Sequence, residues 1–167
     1  MATLQTRNMT LMTKPQSDAP RASLRDAMLH DHRRIERLFQ SLLRAFQDDA
    51  DEAATLWTQL DAALERHFQM EERELFPELA RTHPAATQAL VAEHAEMRRE
   101  LLVLGVGVDL HMTRFDMVQQ LVRKLQAHAV REDDVLYRWA DEHLTEHKRV
   151  TLRARLLAGH ASAFVAR

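Results

Sequence analysis

The 167-residue sequence predicts an all-α fold, an antiparallel up-down four-helix bundle with a flexible N-terminal arm and a short C-terminal helix. Three observations predict it. Four segments carry apolar residues at alternating spacings of three and four, the period of helices buried along one seam. No segment shows the convincing period-two alternation of a half-buried strand. The chain holds only 3 Gly and 4 Pro, too few to punctuate a fold of many short strands.

Residues 1–21 read as the arm, being polar and aperiodic, although Leu4, Met9, Leu11 and Met12 could dock it on the body or on a second subunit. No apolar run is long enough for a signal-peptide core or a membrane span, and the expectation is a cytoplasmic protein. The bundle is expected over residues 22–143. Its first helix spans about 23–47, begun by Ser23 and Asp26 as a capping pair, with the stripe Met28, His32, Ile35, Phe39, Leu42 and Phe46. The second spans about 51–81 with the stripe Trp57, Leu60, Leu64, His67, Glu71 and Leu75, and Pro77 should end or bend it. Pro84 opens a third helix with the stripe Leu90, His94, Met97, Leu101 and Leu104, after which Gly105, Gly107 and Asp109 break the pattern. Thr113 and Asp116 start the fourth, with the stripe Val118, Leu121, Leu125, His128, Glu132, Val135 and Trp139. Residues 144–167 hold a short amphipathic helix, carrying Leu152, Leu156 and Leu157, and a tail.

Composition narrows the chemistry. Net charge is −2, from 23 Lys+Arg against 25 Asp+Glu, so no basic excess points to nucleic acid or an anionic membrane as partner. The absence of cysteine removes disulfides, thiolate zinc sites, iron–sulfur clusters and a thiol nucleophile. The unusual count is ten histidines, and histidine is the commonest side-chain metal ligand.

Six ionisable residues interrupt the apolar stripes: His32, His67, Glu71, His94, His128 and Glu132. At about 1.5 Å rise per residue, His32 and His67 both lie roughly 22–24 Å from the same end of the bundle. Glu71 and His94 are level by the same measure, and His128 is level with His94 to within about one turn. The six therefore converge on one layer. The halves also repeat: His32 to His67 is 35 residues and His94 to His128 is 34, and the pair His67/Glu71 aligns without gaps on His128/Glu132. Two carboxylates in an apolar layer cost several kcal/mol each unless compensated. Histidines alone could compensate them as a buried ion-pair layer. Two divalent cations would satisfy all six groups at once, and a nitrogen-rich carboxylate set suits iron, manganese, zinc or copper rather than magnesium or calcium.

These residues resemble a hemerythrin-type (HHE cation-binding) domain over roughly residues 24–140. His67-Phe-Gln-Met-Glu-Glu matches that family's His-Phe-x-x-Glu-Glu signature; Asp31-His32, Ala92-Glu93-His94 and His128-Ala-Val-Arg-Glu132 match the other ligand segments. The resemblance implies a non-haem di-iron centre, with manganese or zinc as alternative occupants. It assigns two histidines to each iron, Glu71 and Glu132 as bridges, an oxo, hydroxo or water bridge, and an open position for a small ligand. Two departures bear on it. Oxygen carriers place a second histidine four residues after the third-helix ligand, where this chain has Arg98, leaving a position for water, oxygen or Glu36. Their fourth-helix carboxylate sits five residues after its histidine, here Asp133; the stripe and the repeat favour Glu132, with Asp133 beside it as an outer partner. Arg98 is expected as a salt-bridge partner near the site mouth, to Glu36, and Tyr137 as a core residue. The functional expectation is a protein that binds or senses dioxygen, nitric oxide or a redox signal. The alternatives are a di-iron enzyme acting on peroxide, oxygen or nitric oxide, and an iron buffer or store.

Overall fold

The computed structural model describes residues 23–48, 50–109, 112 and 115–165, and among these no residue lies in a strand. The expected N-terminal arm lies outside the described residues. Helix α1 runs Leu24–Asp48. Its start is the reciprocal pair that the sequence suggests: Asp26 N–H donates to Ser23 Oγ and Ser23 N–H donates to Asp26 Oδ2, both at 3.0 Å. Helix α2, Ala50–Met70, passes into a π-helical turn at Glu71–Leu75 and then into α3, Phe76–Leu79. Helix α4 spans Pro84–Asp109 and α5 spans Phe115–Glu132. A second π turn, Asp133–Tyr137, leads into α6, Arg138–His143, and α7 covers Glu146–Val165.

Three sequence expectations change. Pro77 does not itself end the second helix; the irregularity precedes it in the π turn, and Pro77 falls in the first turn of α3, where a missing N–H is tolerated. The glycines of α4 do not break it, because the helix continues to Asp109. Gly105 is there for close approach: a Cβ at this position would lie 3.2 Å from Trp57 Nε1. The C-terminal helix is not short but 20 residues long. It packs along α1, burying Leu152 and Leu156 while Leu157 stays exposed. Arg155 to Glu74 and Lys148 to Glu78, each at 2.7 Å, fasten it beside the end of the second helical run.

Helix α1 packs on α2 and α5, and α4 packs on the same two, so these four helices form a closed ring of contacts. Inside it are two apolar clusters. One gathers Ile35, Phe39, Leu60, Leu64, Phe68, Met97, Leu101 and Leu121; the other gathers Met28, Leu75, Phe76, Leu90, Leu136, Tyr137 and Trp139. Helices α1 and α4 leave the second cluster and enter the first across His32, between Met28 and Ile35, and His94, between Leu90 and Met97, while the α2 and α5 runs cross between the clusters at His67 with Glu71 and at His128 with Glu132. The polar layer is thus sealed above and below by hydrocarbon.

The π turns reset the helical phase of the segments after them. A π turn holds one residue more than an α turn and rotates the downstream stripe by about 100°. A uniform period places Val135 inside; instead Val135 is half-buried while Leu136 and Tyr137 are fully buried. Among the described residues no helix is long and apolar enough to cross a membrane. Leu60, with no exposed surface, belongs to the first cluster. Leu60→Ala should lower the unfolding free energy by about 2–5 kcal/mol in chemical denaturation, with helical content retained.

Candidate metal centre

His32 from α1, His67 from α2, Glu71 from the first π turn, His94 from α4 and His128 with Glu132 from α5 meet in one layer. They form two overlapping sets, His32/His67/Glu71/Glu132 and Glu71/His94/His128/Glu132, each with ligand-type atoms within 4.8 Å of one another. Both glutamates belong to both sets, and neither exposes any surface. Glu132 divides its oxygens between them. Its Oε1 lies 2.7 Å from His128 Nε2 and 3.3 Å from His94 Nε2, and its Oε2 lies 3.3 Å from His32 Nε2. Glu71 Oε2 stands between the sets, 3.5 Å from His67 Nε2 and 3.4 Å from His94 Nε2.

The outer nitrogens of three imidazoles are occupied, by partners that the apolar stripes alone do not reveal. His67 Nδ1–H donates to Asp31 at 3.0 Å, His94 Nδ1–H to Glu72 at 2.9 Å, and His128 Nδ1–H to Glu93 at 2.6 Å. Each carboxylate in turn faces an arginine: Arg34 at 3.8 Å, Arg98 at 2.6 Å and Arg131 at 2.8 Å respectively. A signal for them is present in the sequence. Asp31, Glu72 and Glu93 each adjoin a stripe residue, which places them beside the layer and within reach of the neighbouring helix.

Arg98 does not reach Glu36 as expected. It lies on the side of α4 that faces α2, where it pairs with Glu65 (2.8 Å) and Glu72. Glu36 is exposed and accepts a hydrogen bond from Gln126 at 3.0 Å. Asp133 also differs from its expected role as an outer partner of the layer. The internal repeat matches it with Glu72 and so directs it to His32, but Arg25 holds it in a two-point contact, Nε–Oδ1 2.5 Å and Nη2–Oδ2 2.7 Å. Arg25 correspondingly lowers the Asp133 carboxyl below its ordinary range. His32 Nδ1 is left buried with no hydrogen-bond partner.

Tyr137 is the other residue that uniform helical phase hides. Its hydroxyl donates to Glu71 Oε1 at 2.5 Å and lies 3.2 Å from Glu132 Oε2 and 3.1 Å from His32 Nε2. Burial, then the charges of Glu132 and Glu71, push the phenol well above its ordinary value, so it remains a donor.

The electrostatics of the layer are those of a cation site. Burial alone would push the imidazoles of His67, His94 and His128 downward, but the carboxylates around them more than offset it. His94 rises to about 9, held up by Glu132 and Glu71. Burial would raise Glu132, yet the four surrounding histidines hold it well below the ordinary range. Geometry gives the same result independently. With Nδ1 of His67, His94 and His128 donating outward, each Nε2 points into the layer. His94 Nε2 and His128 Nε2 face each other at 2.9 Å, so positive charge must sit among them, as protons in the metal-free chain or as a metal in their place. Glu71 Oε2 is likewise buried without a donor. An enclosed set of acceptors requires positive charge, and the donor types fit a borderline transition metal.

Glu93→Gln or Glu72→Gln should weaken divalent-metal affinity by about 10–100-fold, read by competition with a chromophoric chelator, because the histidines lose the partners that orient them. Tyr137→Phe, which strips Glu71 of its donor, should destabilise the metal-free protein by about 1–3 kcal/mol in equilibrium unfolding.

Residues 23–102 match the family model described as the Hemerythrin HHE cation binding domain. The match covers just under half of the chain and contains His32, His67, Glu71 and His94; His128 and Glu132 lie beyond it. No curated protein and no solved structure matches the chain. Over residues 23–102 the chain is thus similar to a hemerythrin HHE cation-binding domain.

Proposed function

We propose that this protein is a non-haem di-iron protein that takes up a small neutral ligand, of the size of dioxygen or nitric oxide, beside the buried layer. The observation that carries the reading is the enclosed set of inward-facing acceptors, with both glutamates shared between two ligand sets. In this reading His32 and His67 would hold one iron and His94 and His128 the other, with Glu71 and Glu132 available to both. Manganese or zinc would fit the same donors. The α1, α2, α4 and α5 ring is then an antiparallel up-down bundle, a reading supported by its closed contact pattern and its short connections.

Bound iron would supply redox change and an exchangeable coordination position. The protein's own residues do the rest. Asp31, Glu72 and Glu93 orient three imidazoles. Tyr137 holds a proton against Glu71. The two apolar clusters exclude bulk water.

Ligand uptake is favoured over simple metal storage by a second feature. A cavity of about 80 Å³ adjoins His32, His67 and His128, walled by Ile35, Phe39, Leu64 and Phe68, with Glu36 and Gln126 also lining it. It is small and mostly apolar, suited to a small uncharged molecule, and it meets the layer on the side of His32, the histidine without an outer partner.

Anaerobic reconstitution with ferrous iron should give about two metals per chain, and His67→Ala should fall well short of that. A chain that takes up no transition metal at all would sink the reading. Addition of nitric oxide or dioxygen should change the visible spectrum reversibly without turnover. Sustained consumption of oxygen or peroxide would instead identify an enzyme, and rapid loss of iron to a chelator would identify a store.

A further inference from the structure

A second cavity, about 260 Å³, opens against α1, α2 and α7 on the outer side of His67. Its charged lining is unbalanced: Arg34, Arg66, Arg73 and Arg155 stand against Asp31 and Glu74. Both carboxylates are already committed. Asp31 accepts from His67 Nδ1 at 3.0 Å with Arg34 3.8 Å away, and Glu74 pairs with Arg155 at 2.7 Å. Arg66 and Arg73 have no side-chain hydrogen bond or ion pair among the described residues. Burial and then the charge of Arg34 lower the Arg66 guanidinium, against a smaller pull from Asp31.

A chain of net charge −2 has thus placed four guanidiniums around one concavity and left two of them without an ion-pair partner among the described residues. Concave walls focus such a field. The planar fork of a guanidinium matches the paired oxygens of phosphate, sulfate or carboxylate, and two forks facing one space favour a doubly charged guest. Size limits that guest, because the volume falls below that of ordinary cofactor clefts, which start at about 300 Å³.

We propose that this cavity binds a small dianionic oxyanion, either a tetrahedral group such as phosphate or sulfate or a short dicarboxylate, clasped by Arg66 and Arg73. Arg34 and Arg155 add positive charge at its walls. The cavity borders the six-residue layer at His67, but its guest rests on arginines outside the layer, so binding does not depend on a bound metal. At that border His67 lines the cavity beside Asp31, the acceptor of its Nδ1 proton.

The test uses the full-length, metal-free protein in isothermal titration calorimetry at constant ionic strength. Sulfate probes the tetrahedral class, malonate the dicarboxylate class, and chloride serves as the reference. Saturable binding of sulfate, malonate or both, beyond the chloride reference, is expected. The double variant R66Q/R73Q should weaken it by about tenfold or more while keeping the circular dichroism spectrum of the wild type. R138Q, which alters an exposed arginine paired with Asp134, should leave it unchanged. Heats for both anions equal to those of chloride would overturn the proposal. So would a folded R66Q/R73Q protein that binds as the wild type does, or an R138Q protein that loses binding equally.

Discussion

Two carboxylates with no exposed surface, Glu71 and Glu132, dictate much of the rest of this molecule. Placed in hydrocarbon without compensation they would cost several kcal/mol each. The four histidines are arranged around them, the three outer carboxylates around the histidines, and arginines around those carboxylates. Charge alternates outward from centre to surface, and each shell is held by the next. The apolar clusters on either side of the layer make this alternation matter, because they remove the water that would otherwise screen it.

The two halves repeat one another, but not equally. On one side Arg98 pins Glu72 against His94, one turn beyond its histidine. At the matching place on α1 stands Glu36, which turns to Gln126 instead. The partner that the repeat directs to His32, Asp133, is drawn off by Arg25. His32 is consequently the loosest of the four imidazoles, with 16 % of its side-chain surface exposed against 3 % or less for the others. A near-symmetric frame has become directional through two arginines and one glutamate.

The helical class and the approach of the six residues are legible in the sequence because each rests on regular spacing. A stripe with a three-four period reports its own polar interruptions, and rise per residue reports their level. The features that escape rest on departures from regularity or on contacts between distant segments. Tyr137 cannot be placed from a constant period, because the π turn at Asp133–Tyr137 adds a residue after Glu132. Gly105 looks like a helix end because its role depends on Trp57, far away in sequence. The choice of Arg98 between Glu36 and Glu72 depends on which flank of α4 it occupies, and charge complementarity alone allows either. Asp133 shows the limit of internal symmetry: the repeat is real in register, yet Arg25, 108 residues away, redirects one of its members.

Glu132 comes last in sequence among the six, and both ligand sets need it. The chain is made from its N-terminus, so the stretch containing His32, His67, Glu71 and His94 exists as polymer before the residue that joins the two sets has been added. During that interval the helices can pair locally, but neither set is complete. Closure of the layer thereby waits for α5, and a chain truncated before α5 would keep the matched residues 23–102 while lacking the glutamate common to both sets.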